Sequence, residues 1–229
     1  MKADLDDPAA ANEAAADLSS QLETLLPPAS ERDRDKTLAV NVKGTVNLVR
    51  AIQEQGGKTR MICTSTVATY GDTTADQPPI GVNHPQHPNT VYSESKVLAE
   101  RAILGAGIPY TILRVSAIVM PALMDPPEWP FVANQRIEFV NRADVVSALL
   151  AAVDRDDATN KVFNIASGKS WQMLGHEYIE KTFPILGIPV EEAVYSYNPV
   201  YSDWYDTEEA QALLDFQPPG SRDGTEALH

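Results

Sequence analysis

The amino-acid sequence predicts an α/β protein built on a doubly wound parallel sheet, with a small lobe towards its C-terminal end. Two observations predict it: short apolar runs of strand length alternate with amphipathic stretches of helical length, and glycines stand at the exits of the two longest of those stretches. The length of 229 residues agrees, since roughly 100 to 200 residues per domain leaves room for one domain and a small lobe.

Taken in order, residues 8–18 have the Ala and Glu content of a short helix after Pro8, whose missing N–H would be unpaired in a first turn anyway. Residues 25–34 break the pattern. Over 33–55, Leu38, Val42, Thr45, Val49 and Ile52 recur every three or four residues, the period of an amphipathic helix, and Gly56 and Gly57 stop it. Residues 59–64 are largely apolar, between glycines and a Ser/Thr cluster, as a buried parallel strand would be. A second long helix follows over 89–104, ended by Gly105 and Gly107, and 110–115 is another strand. The proline-dense stretch 120–135, which holds Trp129 and Phe131, reads as a loop over a pocket. Beyond it come a short strand at 137–140, a helix at 142–153, a strand at 162–166, a helix near 174–186, an aromatic stretch at 195–205 and a short helix near 207–214.

With 43% hydrophobic and 22% charged residues, the composition excludes wholesale disorder and collagen-like sequence. Lys and Arg number 18 against 32 Asp and Glu, and the resulting formal charge of −14 repels nucleic-acid phosphates and anionic lipid, so neither nucleic acid nor a membrane surface is an expected partner. Cys63 is alone and can form no intrachain disulfide, which fits a reducing compartment. Residues 1–16 lack the basic start and apolar stretch of a signal peptide, and the longest nearly unbroken apolar run, 145–153, is half a membrane span. A soluble, cytoplasmic protein is expected.

The chemistry centres on Tyr92 and Lys96. Four residues apart on a helix, they share one face about 6 Å apart along the axis. An ammonium beside a phenol favours phenolate and lowers its pKa from about 10, which makes tyrosine usable as an acid or base. Cys63, Thr64, Ser65 and Thr66 close the preceding strand, and side chains at the carboxyl ends of parallel strands line the crevice where ligands bind. A hydroxyl there can meet Tyr92; the alternative for Thr66 is a helix cap or turn.

These residues resemble the NAD(P)-dependent epimerase/dehydratase group of the extended short-chain dehydrogenases/reductases. Four landmarks carry the likeness: Asn41-Val42-Lys43-Gly44-Thr45-Val46-Asn47; Thr64-Ser65-Thr66 leading to Tyr70-Gly71; Tyr92 to Lys96 with Glu100; and Ile112-Leu113-Arg114. Residues 139–145, 162–166 and 205–218 look similar as well. The resemblance implies a Rossmann-like sheet, with a partial NAD(P)-binding domain over 1–166 and a C-terminal substrate lobe over 167–229 intermixed with 116–140. It implies Thr66, Tyr92 and Lys96 as catalytic residues, with Lys96 also holding the nicotinamide ribose. Asp4, Leu5, Asn41, Thr64 and Ser65 join Tyr92 and Lys96 as cofactor-binding residues, the first two by matching an Asp-Leu pair that reaches the adenine. The family opens with a glycine-rich loop and helix N-terminus that hold the pyrophosphate. This sequence has no such loop, which predicts an N-terminally truncated sheet and weakened binding of NAD or NADP. The activity implied is hydride transfer on a sugar nucleotide or another secondary alcohol or ketone. The alternative is a catalytically impaired, non-enzymatic interaction module, for which the resemblance offers a homodimer through helices 33–55 and 90–104.

Other signals are weaker. His84 and His87 stand in a proline-flanked loop with no third ligand nearby, which argues against a metal site. Asp203, Asp206, Glu208 and Glu209 read as a solvated helix start; Trp129, Phe131, Trp204 and Tyr205 as core before pocket; Arg114 and Arg142 as partners of surface carboxylates before an anionic substrate. From the charge, duplex DNA at physiological salt should show no mobility shift with this protein; tight binding that weakens as salt is added would contradict the reading.

Overall fold

Alternation along the central strands decides which helix covers which face of the sheet. The computed structural model describes residues 29–118, 128–129, 131–197 and 202–216. The helix expected over 8–18, together with Asp4 and Leu5, lies outside the described residues. Along the chain the elements are α1 (Ala29–Arg32), α2 (Arg34–Leu38), α3 (Gly44–Glu54), β1 (Met61–Thr66), α4 (Val91–Leu104), β2 (Tyr110–Val115), β3 (Ala117–Ile118), β4 (Glu128–Trp129), β5 (Arg136–Ile137), β6 (Phe139–Val140), α5 (Arg142–Asp154), β7 (Lys161–Ile165), β8 (Met173–Leu174), α6 (Gly175–Leu186), β9 (Val194–Tyr195) and α7 (Glu208–Leu214).

The strands β1, β2 and β7 pair in that order, all parallel, with Thr66 opposite Val115 and Val115 opposite Ile165. Met61, Cys63 and Ile112 point to one face, where Leu48, Val49, Ala51 and Ile52 of α3 and Ile103 of α4 cover them. Ile62, Leu113, Val115, Phe163 and Ile165 point to the other, against Val145, Ala148 and Ala152 of α5 and Ala210 and Leu214 of α7. With helices on both faces, the sheet is doubly wound, as the sequence predicts.

Several boundaries differ from the sequence reading, each for a local reason. The stretch expected as a break carries α1. The single helix expected over 33–55 is interrupted by a π turn at Ala39–Lys43 that accommodates the buried Asn41. The helix expected from 89 starts at Val91, because Thr90 and Ser93 form a reciprocal cap: the Thr90 hydroxyl accepts from the Ser93 N–H at 3.0 Å, and the Ser93 hydroxyl accepts from the Thr90 N–H at 3.1 Å. The strand expected at 137–140 divides at Glu138: β5 pairs antiparallel with β8, whereas β6 pairs parallel with β3. Around β5 and β8 a third apolar cluster gathers Phe131, Ile137, Met173, Tyr178, Ile179 and Phe183. Gly175 opens α6 there, and a Cβ would come within 2.5 Å of the Val132 carbonyl oxygen.

Two buried polar arrangements knit these layers. Ser65, Arg114 and Asn164 lie opposite one another across β1, β2 and β7. Arg114 donates to both carboxylate oxygens of Glu100 on α4, at 2.7 Å from Nη2, and to the Tyr70 phenol at 2.9 Å; Tyr70 donates to Asn164 at 2.7 Å, and Ser65 donates to Glu100. In the second, Glu138 accepts from the backbone N–H groups of Gly168 and Tyr205 at 2.6 and 2.8 Å and from the Gln172 amide at 3.0 Å. Among the described residues no helix is long and apolar enough to cross a membrane.

Removing one partner of a buried ion pair strands the other charge, so Arg114→Met should lower the unfolding free energy by about 3–5 kcal/mol in urea titrations, and adding Glu100→Leu should recover much of that loss. A double variant no more stable than the single one would contradict this. Glu138 gives a second test. Burial pushes its carboxyl up from 4.5 to about 7 despite its three donors, so the folded chain holds that proton where the unfolded chain does not. The stabilisation it gives is complete below pH 4.5 and is lost as the pH rises towards 7. Glu138→Gln should therefore flatten the fall in urea midpoint over that window, and an unchanged slope would contradict the assignment.

Candidate active site

Three residues singled out on the sequence converge at the C-terminal end of β1. Thr66 closes the strand; its hydroxyl accepts from the Ala68 N–H at 3.2 Å and lies near enough to the Tyr92 phenol to act on its pKa, so it is both turn cap and neighbour to the tyrosine. Lys96, one turn along α4 and 2% exposed, donates from Nζ to the Thr64 carbonyl at 2.6 Å and stands 5.8 Å from the centre of the Tyr92 ring. Thr64 thus contributes its backbone oxygen, whereas Ser65 turns to Glu100.

The expected lowering of the Tyr92 pKa by Lys96 does not occur. Burial pushes the phenol up to about 12, against the opposing effect of Thr66. The lysine's close contact is the Thr64 carbonyl, and burial lowers its own pKa. At neutral pH the phenol is therefore protonated. Cys63 is also buried, its thiol pushed up to about 11, which leaves it a core residue with no thiolate to offer.

Asn41 reaches this site indirectly. Its amide donates to the Ser95 hydroxyl at 2.9 Å, and Ser95 donates to the Tyr92 carbonyl at 2.7 Å. The π turn is held by the Thr45 hydroxyl, which donates to the Asn41 carbonyl at 2.7 Å. Sequence reasoning missed Glu31 altogether: its carboxylate accepts from the Val91 and Tyr92 N–H groups at 3.1 and 2.9 Å, and next to it Arg34 pairs with Glu94 at 2.6 and 2.9 Å. No local spacing marks a partner that far away along the chain.

The remaining candidates fall elsewhere. Arg114 pairs with a carboxylate, as expected, but with the buried Glu100 and not a surface one. Asp203 is not solvated: it is fully buried, accepting from Arg136 at 2.5 and 2.9 Å and from the Thr73 hydroxyl at 2.7 Å, while Glu208 and Glu209 do lie outside and pair with Lys169 and Lys161. Phe131 and Tyr205 are core. His84 meets Asp76 at 3.1 Å, and among the described residues no group of three His, Cys, Asp or Glu is placed to hold a metal ion.

Comparison with known proteins gives this geometry its family. The model of the NAD dependent epimerase/dehydratase family matches residues 1–128. A curated relative, the GDP-6-deoxy-D-mannose reductase of Pseudomonas aeruginosa, is 27% identical over 188 residues, which is 72% of this chain; the chain spans 61% of the relative's length. Among solved structures, RMD from Pseudomonas aeruginosa complexed with NADPH superimposes with a TM-score of 0.76 at 21% identity, over 95% of this chain and 82% of that one. The UDP-glucose 4-epimerase of Thermotoga maritima with UDP-glucose gives 0.73 at 20% identity, over 95% and 78%. At these identities the structural likeness establishes a Rossmann-type fold. The match over more than half of its length places the chain in the NAD dependent epimerase/dehydratase family.

Proposed function

We propose that the chain carries out NAD(P)-dependent hydride transfer on a sugar nucleotide, or on another secondary alcohol or ketone, with Tyr92 as the acid/base. The observation that carries the reading is the buried Lys96 ammonium 5.8 Å from the Tyr92 ring and bonded to the Thr64 carbonyl, with Thr66 beside them at the carboxyl end of a parallel strand. The dinucleotide, when bound, supplies or accepts the hydride. In the reductive direction Thr66 and Tyr92 hold the substrate's carbonyl oxygen and Tyr92 delivers its proton; oxidation takes the proton back. A phenol with its pKa raised is in the form that reduction requires.

The fit of a dinucleotide is tested by Lys96. An ammonium has three donors, and the described residues engage one, at the Thr64 carbonyl, so the other two are available to the hydroxyls of a nicotinamide ribose. Its positive charge also balances the phenolate left after proton transfer. The cluster around Phe131 and Tyr178 supports reading residues 167–229, with 116–140, as a substrate lobe beside a partial cofactor domain. The single buried Cys63 suits the cytoplasm, a reducing compartment.

A second reading is a non-enzymatic interaction module that dimerises through helices 33–55 and 90–104. Titration with NADH and NADPH separates the two, since the module predicts no binding.

Turnover is followed by NAD(P)H absorbance for net oxidation of GDP-6-deoxy-D-mannose with NAD(P)+, and by chromatographic separation of the epimer for UDP-glucose, whose epimerisation leaves the dinucleotide unchanged. Tyr92→Phe keeps the ring and should preserve the fold by circular dichroism while lowering turnover by about 10² to 10⁴. Lys96→Ala should weaken dinucleotide binding and turnover together, and Thr66→Val should mainly lower turnover. Wild-type turnover in Tyr92→Phe would falsify the assignment.

A further inference from the structure

Both backbone ends of Tyr92 are held by one segment of chain some fifty to sixty residues before it. On the carbonyl side, Asn41 acts through Ser95. On the N–H side stands Glu31, whose two carboxylate oxygens accept from Val91 at 3.1 Å and Tyr92 at 2.9 Å, the first two N–H groups of α4. A helix leaves its first N–H groups without partners within the helix. Here the Thr90 hydroxyl takes Ser93, and Glu31 takes the two before it. The carboxylate also sits where the helix dipole favours negative charge, and such charge-assisted bonds are stronger than neutral ones.

We infer that Glu31 is a positioning residue for Tyr92. By clamping the opening turn of α4 it fixes the height and rotation of the tyrosine, and with them the contact of the phenol with Thr66. The backbone of the tyrosine would otherwise be anchored from its carbonyl side alone, and a first turn free to fray would let the ring leave the hydroxyl. Glu31 touches neither the phenol nor Thr66, so its effect is on rate through geometry and not on the chemistry itself. The inference rests on the acid/base reading of Tyr92, and two kinds of measurement keep the two apart.

The first is independent of activity. In the full chain, amide exchange followed by NMR should show Glu31→Ala losing protection at Val91 and Tyr92 by about tenfold or more, as for the loss of a charge-assisted hydrogen bond, while Ser93 keeps its protection through Thr90. The Tyr92 ring resonance, identified by its absence in Tyr92→Phe, should shift as well. The second is kinetic, in the assay described above. Glu31→Ala should lower kcat by about tenfold or more with KM for the sugar nucleotide nearly unchanged, because a mispositioned acid affects the transition state and not substrate binding. Formate added to Glu31→Ala should restore part of the rate, since Glu31 is exposed and a small carboxylate can dock on the same N–H pair. It should not restore Tyr92→Phe. Unchanged kcat in Glu31→Ala, or unchanged amide protection and ring resonance at Tyr92, overturns the inference. An active Tyr92→Phe overturns the site reading instead. If the wild type turns over neither substrate, the exchange and ring measurements decide the role of Glu31 on their own.

Discussion

The buried pair of Arg114 and Glu100 is the contact on which the site's architecture depends. Arg114 lies between Ser65 and Asn164 at one level of the sheet, so all three central strands and α4 meet in a single polar rung. Parallel strands are joined by long crossovers, and no tight turn fixes their register. The rung supplies what the connections cannot: a slip of one residue would carry Ser65 or Asn164 to the opposite face, where Ile62, Leu113 and Phe163 meet apolar helices. Thr66 is the next residue after this level, so the geometry of the candidate site is inherited from the rung beneath it. The cost of burying the charges is met by full satisfaction, with Gln86 and Val82 taking up further valences.

Much of this was legible in the sequence because the relevant signals are short-range. The Tyr92 to Lys96 spacing, the Thr64 to Thr66 strand end and the strand at 110–115 each lie within a few residues, and the structure sets each on its expected element. What escaped was long-range. Nothing near Asp203 reveals that Arg136 waits for it, and nothing near residue 31 marks it as the cap of a distant helix. The π turn is equally hidden: the apolar period continues through 39–43, and only the tertiary demand for Asn41 at Ser95 explains the wider turn.

The Tyr92 pKa shows the limit of pairwise reasoning. Spacing brings a lysine near a tyrosine, and near a charge a phenol acidifies; but the same fold that brings them together buries both, and desolvation acts on every titratable group it encloses. Sequence spacing reports neighbours, while the dielectric environment is a property of the whole packed layer.

Two apolar cores, one on the sheet and one around Phe131 and Tyr178, meet across a belt of polar side chains: Arg136, Glu138, Gln172 and Asp203. Its carboxylates are buried and bonded, Glu138 to Gly168, Gln172 and Tyr205, and Asp203 to Arg136 and Thr73. Water reaching the belt would have to displace those bonds, so the cost of parting there is set by polar groups and not by apolar area. The two cores are thus joined by directional bonds, which fix their mutual orientation more narrowly than an apolar contact of the same extent would.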